Sequence, residues 1–200
     1  MPSSPPLLLA STSPYRSRLL ERLGLTFERC DPDVDEAAEP ALDPATRARR
    51  LALAKARAGA ARHPGHWTIG SDQVAACEGD ILHKPGSRTA QIAQLHRLSG
   101  REARFHTAVA LVVPPLRPGA RARARHATVL TRVRFRTLDD GTIARYADAE
   151  PAVDCCGGFR CEGLGIALFD AVRGSDPTAL EGLPLMATAR LLRAAGLAVP

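Results

Sequence analysis

Ser11, Ser13 and Arg16 fall within the six residues Ser11-Thr12-Ser13-Pro14-Tyr15-Arg16, directly after the apolar run Leu7-Leu8-Leu9. Two hydroxyls and a guanidinium at the mouth of a helix can hold an anion. The first backbone N–H groups of a helix are unpaired and partly positive, and arginine presents a planar fork that matches phosphate oxygens. The same residues also make an ordinary helix start, with Ser13 as N-cap and Pro14 as first helical residue. Taken alone, the turn leaves both readings open. Asp72 poses a sharper question, because it interrupts the β-prone run Ile69-Gly70-Ser71-Asp72-Gln73-Val74. A carboxylate buried without partners costs on the order of several kcal/mol, so Asp72 must reach water, a base or a metal. Lys84-Pro85 follows a turn that would return Lys84 toward Asp72. Lys55 borders the apolar stripe through Leu51 and Ala58, where a lysine either snorkels or points into a cleft. Gly157 to Gly165 holds four glycines in nine residues and a single acid, Glu162. That density marks an unusual backbone path or a close ligand approach.

The elements that must position these residues alternate between strand and helix. Leu7–Leu9 reads as a short strand, followed by a helix to about Leu23 and a strand at 26–29. Asp43-Pro44 repeats the cap-plus-proline signal and starts a helix to Arg62. Trp67–Ala76 is a strand, Glu78-Gly79-Asp80 a turn and Ile81–His83 its return. Ser87 caps a helix carrying Ile92, Leu95 and Leu98, and Ala103–Val113 is a long strand. Pro114–His126 reads as loop. Val129, Val133 and Phe135 alternate with Arg132, Arg134 and Arg136, which predicts a half-buried strand with its arginines in water. A short helix near 140–148, a strand at Ile166–Phe169 and a closing helical part from Asp176-Pro177 complete the chain. This order predicts an α/β protein.

Composition narrows the classes. The chain has 200 residues, 45% of them hydrophobic, enough for a substantial core. No apolar run approaches the ~20 residues of a membrane-spanning helix, and no secretory signal opens the chain. A cytoplasmic protein without a membrane partner is the expectation. Five cysteines, two of them adjacent at Cys155-Cys156, give neither disulfide nor zinc spacing. The net charge of +6 is uneven: residues 31–43 hold six acids and no base, residues 117–136 seven arginines and no acid. A basic surplus favours phosphate-bearing partners, although the 121–125 Arg-Ala alternation also suits a solvated hairpin tip.

Seven islands occur in a telling order: Ser11-x-Ser13-Pro14-x-Arg16, Asp35-Glu36, Lys55, Gly70-Ser71-Asp72-Gln73-Val74, Lys84-Pro85, the glycine loop with Glu162, and Asp176-Pro177…Gly182-Leu183-Pro184-Leu185. In this the chain resembles the Maf family of nucleoside triphosphate pyrophosphatases, and more closely their YceF branch, which acts on 7-methyl-GTP. The resemblance covers about residues 7–196, except the 114–127 stretch. It implies a single domain over residues 1–200, with a mixed sheet and two lobes about a deep cleft, shaped like the inosine triphosphate pyrophosphatases. It also implies hydrolysis between the α and β phosphorus atoms, dependent on Mg²⁺ or Mn²⁺. By the same resemblance Asp72 is the proton acceptor, and Tyr15, Gln73 and Glu162 govern substrate choice. Ser11, Ser13, Arg16, Lys55 and Lys84 would hold the phosphates, while Glu36 and Asp72 would share the metal. The partner is a nucleoside triphosphate, with no stable nucleic-acid partner and with homodimerisation left open. Hydrolysis of dTTP, UTP or another modified nucleotide is the near alternative. A nucleotide- or RNA-binding module using the 132–136 strand is the distant one.

Overall fold

The three apolar residues of Leu7-Leu8-Leu9 do form a strand, buried on both sides, and much of the architecture is organised around it. A computed structural model describes residues 6–36, 43–115 and 121–199. The strands are β1 (Leu7–Ala10), β2 (Glu28–Cys30), β3 (Trp67–Cys77), β4 (Asp80–Leu82), β5 (Glu102–Val113), β6 (Arg123–Phe135) and β7 (Phe169–Gly174). The helices are α1 (Pro14–Glu21), α2 (Pro44–Arg62), α3 (Arg88–Leu98), α4 (Asp140–Ala149) and α5 (Leu185–Ala195), with 3₁₀ turns at Leu164–Leu168 and Ala179–Glu181. The strands make one mixed sheet in the order β2-β1-β3-β5-β6-β7, with β4 beside β3. β1 runs parallel to β2 and β3, whereas β3/β4 and β6/β7 are antiparallel. The chain is therefore α/β with a mixed sheet.

Among the described residues, local chemistry accounts for four of the five α-helix starts and for one hairpin turn. The side chains of Ser13, Asp43, Ser87 and Asp139 each accept from the backbone N–H three residues on, satisfying one of the helix's orphan donors. Pro14 and Pro44 occupy first helical positions, where a missing N–H costs nothing. Glu78 and Gly79 both adopt positive φ between Cys77 and Asp80, the two-residue turn whose twist matches an antiparallel hairpin.

The chain divides into two compact units. The first comprises Met1–Gln73, Thr107–Val129 and Asp176–Pro200. Its core gathers Leu7, Leu9, Leu20, Trp67, Ile69, Val109, Leu111, Leu183 and Leu192. The second comprises Val74–His106 and Leu130–Ser175. Its centre is an aromatic cluster in which Phe159 packs edge-on against Phe105, Phe135 and Phe169 at 5.0–5.6 Å between centroids.

Four expectations are corrected. Ile166–Phe169 is not a strand: residues 164–168 form a 3₁₀ turn with Ile166 exposed, and β7 starts at Phe169. The cause is Glu150, whose carboxylate accepts from Leu164 N and Gly165 N and coils the segment. β6 begins at Arg123, so the expected loop over 114–126 is shorter, and its residues 116–120 lie outside the described residues. The buried stripe of α2 is Ala48, Ala52, Lys55, Ala56 and Gly59, so Lys55 lies on the buried face itself and not at its border. The Glu28–Cys30 strand sits slightly later than the 26–29 expected.

Glycines at two contacts set how α2 lies on the sheet. A Cβ on Gly59 would meet Ala10 Cβ at 2.8 Å, and one on Gly70 would meet Ala56 N at 2.5 Å and collide with the Ala52 carbonyl. At Gly70 both obstacles are helix backbone, which cannot rotate away. Gly70→Ala should therefore push α2 off β3 and destabilise the protein by about 1–3 kcal/mol or more. A lowered midpoint in urea unfolding, with turnover falling further than the folded fraction, is the expected result. An unchanged midpoint would mean that the contact relaxes freely.

Candidate active site

Lys55 has two acidic partners. Its ammonium nitrogen donates to Asp72 Oδ1 at 2.6 Å and to Glu36 Oε1 at 2.5 Å. Lys55 and Asp72 are each 5% exposed, whereas the Glu36 side chain is 58% exposed. Close packing of α2 at Gly70 brings the lysine to the aspartate two residues along β3. The acidic segment reaches the same nitrogen through Glu36, whose backbone carbonyl accepts from Arg47 Nη2 at 3.1 Å. The expected demand that Asp72 find a partner is met by a base.

The opening turn lies in the same unit. β1 and β3 are parallel with Leu9 opposite Ile69, so Ser11 and Ser71 stand at corresponding places beyond that pair. Open α/β sheets place ligands beyond the carboxyl ends of parallel strands, and Ser11 directly follows the last residue of β1, while Ser71 lies within the longer β3. Ser11 Oγ accepts from Ser13 N at 3.1 Å, and Ser13 Oγ from Arg16 N at 3.4 Å. Arg16 Nε donates to the Gly182 carbonyl at 3.0 Å, and the Ser71 hydroxyl, 2.8 Å from the Ala108 carbonyl, shares its proton with that of Gly182 at 3.0 Å. Gly182 takes φ +111°, a left-handed conformation that suits glycine. One carbonyl therefore ties α1, β3 and the 179–182 turn together.

Gln73, next along β3, points its amide nitrogen at Thr107 Oγ1 (2.9 Å), the Ala179 carbonyl (3.0 Å) and the Leu180 carbonyl (3.2 Å). Tyr15 is half-buried in the first turn of α1, with the Arg18 guanidinium carbon 5.2 Å from its ring centroid. That ring already attracts a cation. Lys84 and Glu162 belong to the second unit, where both are exposed.

Several structural roles escaped the sequence reading, which named Asp176 only as the start of the closing helical part and as a member of the seventh island. Asp176 is 3% exposed and accepts from Thr178 N, Thr178 Oγ1 and Ala187 N, capping α5 and closing the turn that carries Gly182. Thr107, fully buried within β5, was detectable as a hydroxyl inside an apolar run. Glu150 had no signal in the sequence. It accepts from Tyr146 Oη at 2.8 Å as well as from the two loop N–H groups, and a Cβ on Gly163 would strike it. Burial first, then this carboxylate, push the Tyr146 hydroxyl far above its ordinary pKa, so it stays a neutral donor.

Among the described residues no group of three or more His, Cys, Asp or Glu side chains could hold a metal. Glu36 and Asp72 are a pair of carboxylates converging on one cationic atom, which is donor chemistry suited to a hard divalent ion that takes its other ligands from water and phosphate. None of the five cysteines forms a disulfide, and among the described residues no helix is long and apolar enough to cross a membrane.

Known proteins resemble this chain over nearly its whole length. The 7-methyl-GTP pyrophosphatase of Xanthomonas oryzae is 55% identical over 196 residues, covering 98% of this chain and all of the relative. That of Aromatoleum aromaticum is 53% identical over 97% of each chain, and that of Bordetella parapertussis is 48% identical over 98% of this chain and 96% of its own. A nucleoside-triphosphatase, dITP/XTP pyrophosphatase, of Mycobacterium abscessus superposes with a TM-score of 0.44 at 19% identity, over 94% of this chain and 93% of that one. The model of the Maf-like protein family matches residues 6–195. A match running from the first residue before β1 to the last residue of α5, with relatives sharing about half of all residues end to end, makes this chain a member of the Maf family.

Proposed function

We propose that this chain hydrolyses 7-methyl-GTP to 7-methyl-GMP and pyrophosphate, acting in the cytoplasm as a single Maf-like domain. The observation that carries the reading is the buried Asp72 carboxylate held by Lys55 beside Glu36. Full-length relatives bearing that activity in their names support the choice of substrate. Five cysteines without a disulfide suit a reducing compartment.

Asp72 is the proton acceptor. A water oxygen bonds to phosphorus in line with the α–β bridge, the bridging oxygen leaves with pyrophosphate, and the water proton passes to Asp72. Lys55 orients the carboxylate and places positive charge where the phosphates gather. Ser11, Ser13 and Arg16 bind phosphate oxygens through hydroxyl, backbone and guanidinium donors, and Lys84 contributes a further charge. Glu36 and Asp72 would hold a divalent cation, which when bound would neutralise phosphate charge and acidify water.

Specificity rests on the positive charge of a 7-methylated guanine. The Tyr15 face attracts it as it attracts Arg18, and Glu162 accepts from donors on the base edge. Gln73 acts differently. Its amide nitrogen is already committed to the 179–180 carbonyls, so it influences substrate choice by shaping that turn.

A panel of triphosphates assayed for pyrophosphate release, with and without Mg²⁺ or Mn²⁺, tests the reading. Preference for dTTP or UTP would move the activity to another triphosphate, and no metal-dependent release at all would refute it. Glu162→Ala should reduce kcat/KM for 7-methyl-GTP about 10-fold more than for UTP, the size of one lost charge-assisted contact. Equal losses would remove Glu162 from base recognition.

A further inference from the structure

The outward face of the second unit carries a feature that the hydrolysis does not use. β6 and β7 pair with Arg132 directly opposite Arg173 and Arg134 opposite Ala171. Like charges facing each other across strands destabilise a sheet, and a second guanidinium stands two residues along the same strand. These side chains line a recess of about 280 Å³ together with Glu102. Its shape follows from the sequence: Ala171 places a methyl group among arginines and leaves a hollow.

The recess has too little negative charge. Glu102 Oε1 lies 3.6 Å from Arg104 Nε and 4.0 Å from Arg132 Nε, so one carboxylate serves two guanidiniums at the outer limit of an ion pair. Among the described residues Arg134 and Arg173 have no carboxylate within 4 Å. Other arginines of this unit are paired: Arg88 with Asp148, Arg97 with Asp80, Arg101 with Glu78 and Arg160 with Asp154. A merely solvated face would show the same mixing of signs. Here three cations converge on one concavity instead.

We infer that this recess is a second anion site, one that takes a compact, multiply charged phosphate group such as pyrophosphate or the polyphosphate end of a nucleotide. Guanidinium forks match phosphate oxygens bidentately. The volume lies at or just below the small end of ligand sites, typically ~300–1,000 Å³, which suits a polyphosphate better than a nucleobase. No aromatic ring lines it, so it lacks the stacking platform with which proteins hold single-stranded nucleic acid. A bound polyanion would offset the Arg132–Arg173 repulsion that the sheet otherwise carries.

Titration calorimetry with sodium pyrophosphate tests this on the full chain in EDTA, where the hydrolytic reaction does not run. Wild type should show a binding event that Arg132→Gln/Arg173→Gln weakens tenfold or more and Arg16→Gln leaves in place. The double variant should keep wild-type pyrophosphate release from 7-methyl-GTP, which separates this site from the reaction. Ala171→Glu supplies an internal carboxylate and should both abolish the event and raise the melting temperature. An isotherm unchanged by R132Q/R173Q, or changed only by R16Q, overturns the proposal. So does a short RNA duplex that binds the same arginines more tightly than pyrophosphate, with affinity falling steeply with salt.

Discussion

Asp72→Asn is expected to reduce pyrophosphate release by about 10²- to 10⁴-fold, the range a positioned general base contributes, while the chain stays folded. Both halves follow from the contact with Lys55. The carbonyl oxygen of the introduced asparagine would still accept from the Lys55 ammonium at the place where Asp72 Oδ1 does now. Glu36 continues to balance the lysine charge from its exposed side. The amide has the same shape as the carboxylate but does not take a proton near neutral pH. Some stability is lost, because a charge-assisted bond becomes an ordinary one, a difference of about 1 kcal/mol. Circular dichroism and a denaturant melt establish that the variant is folded, and a pyrophosphate assay reads turnover. A folded variant that turns over at the wild-type rate would exclude Asp72 as the proton acceptor.

Lys55→Met should produce the largest loss of stability, about 3–5 kcal/mol, because it leaves a buried carboxylate with its main cation gone. Asp72 is 5% exposed, and Lys55 is the base within hydrogen-bonding distance of it. Methionine fills nearly the same volume, so little of the loss comes from packing. The double variant Lys55→Met/Asp72→Asn should regain part of what the single one loses, since the stranded charge is then also removed. Urea unfolding of the four proteins in this cycle measures the coupling. Additive losses would show that the ion pair contributes nothing beyond its separate side chains. At a total stability of about 5–15 kcal/mol for a typical domain, the single variant would be close to unfolding, and its activity should be measured at low temperature.

These two expectations differ in where they originate. That Asp72 needs a partner could be read from one acid inside a β-prone run. That its partner is Lys55 could not. α2 is rich in alanine, so its sequence shows no sharp apolar stripe, and a modest change of helical phase moves Lys55 from the border of the buried face to its middle. The phase is fixed by Gly59 and Gly70, where the helix meets β1 and β3 too closely for a side chain. Similarly, the glycine loop is visible in sequence as four glycines, but Glu150, which gathers its N–H groups, lies outside the loop and resembles any acid at the end of a helix. The expected Ile166–Phe169 strand failed for that reason: an apolar run was read as buried when its backbone was already committed to a carboxylate.

What the sequence determined by itself is what hydrogen bonds over three or four residues can determine. Ser13, Asp43 and Ser87 as caps, Pro14 and Pro44 inside their helices, the Glu78-Gly79 turn and the in-out alternation of Val129 to Phe135 all depend on neighbours along the chain. Tertiary structure alone decided which distant groups meet: Lys55 with Asp72 and Glu36, Arg16 and Ser71 on the Gly182 carbonyl, Arg132 facing Arg173. Those pairings are set by strand register and by how closely a helix can approach a sheet, and both depend on close packing between segments far apart in the chain.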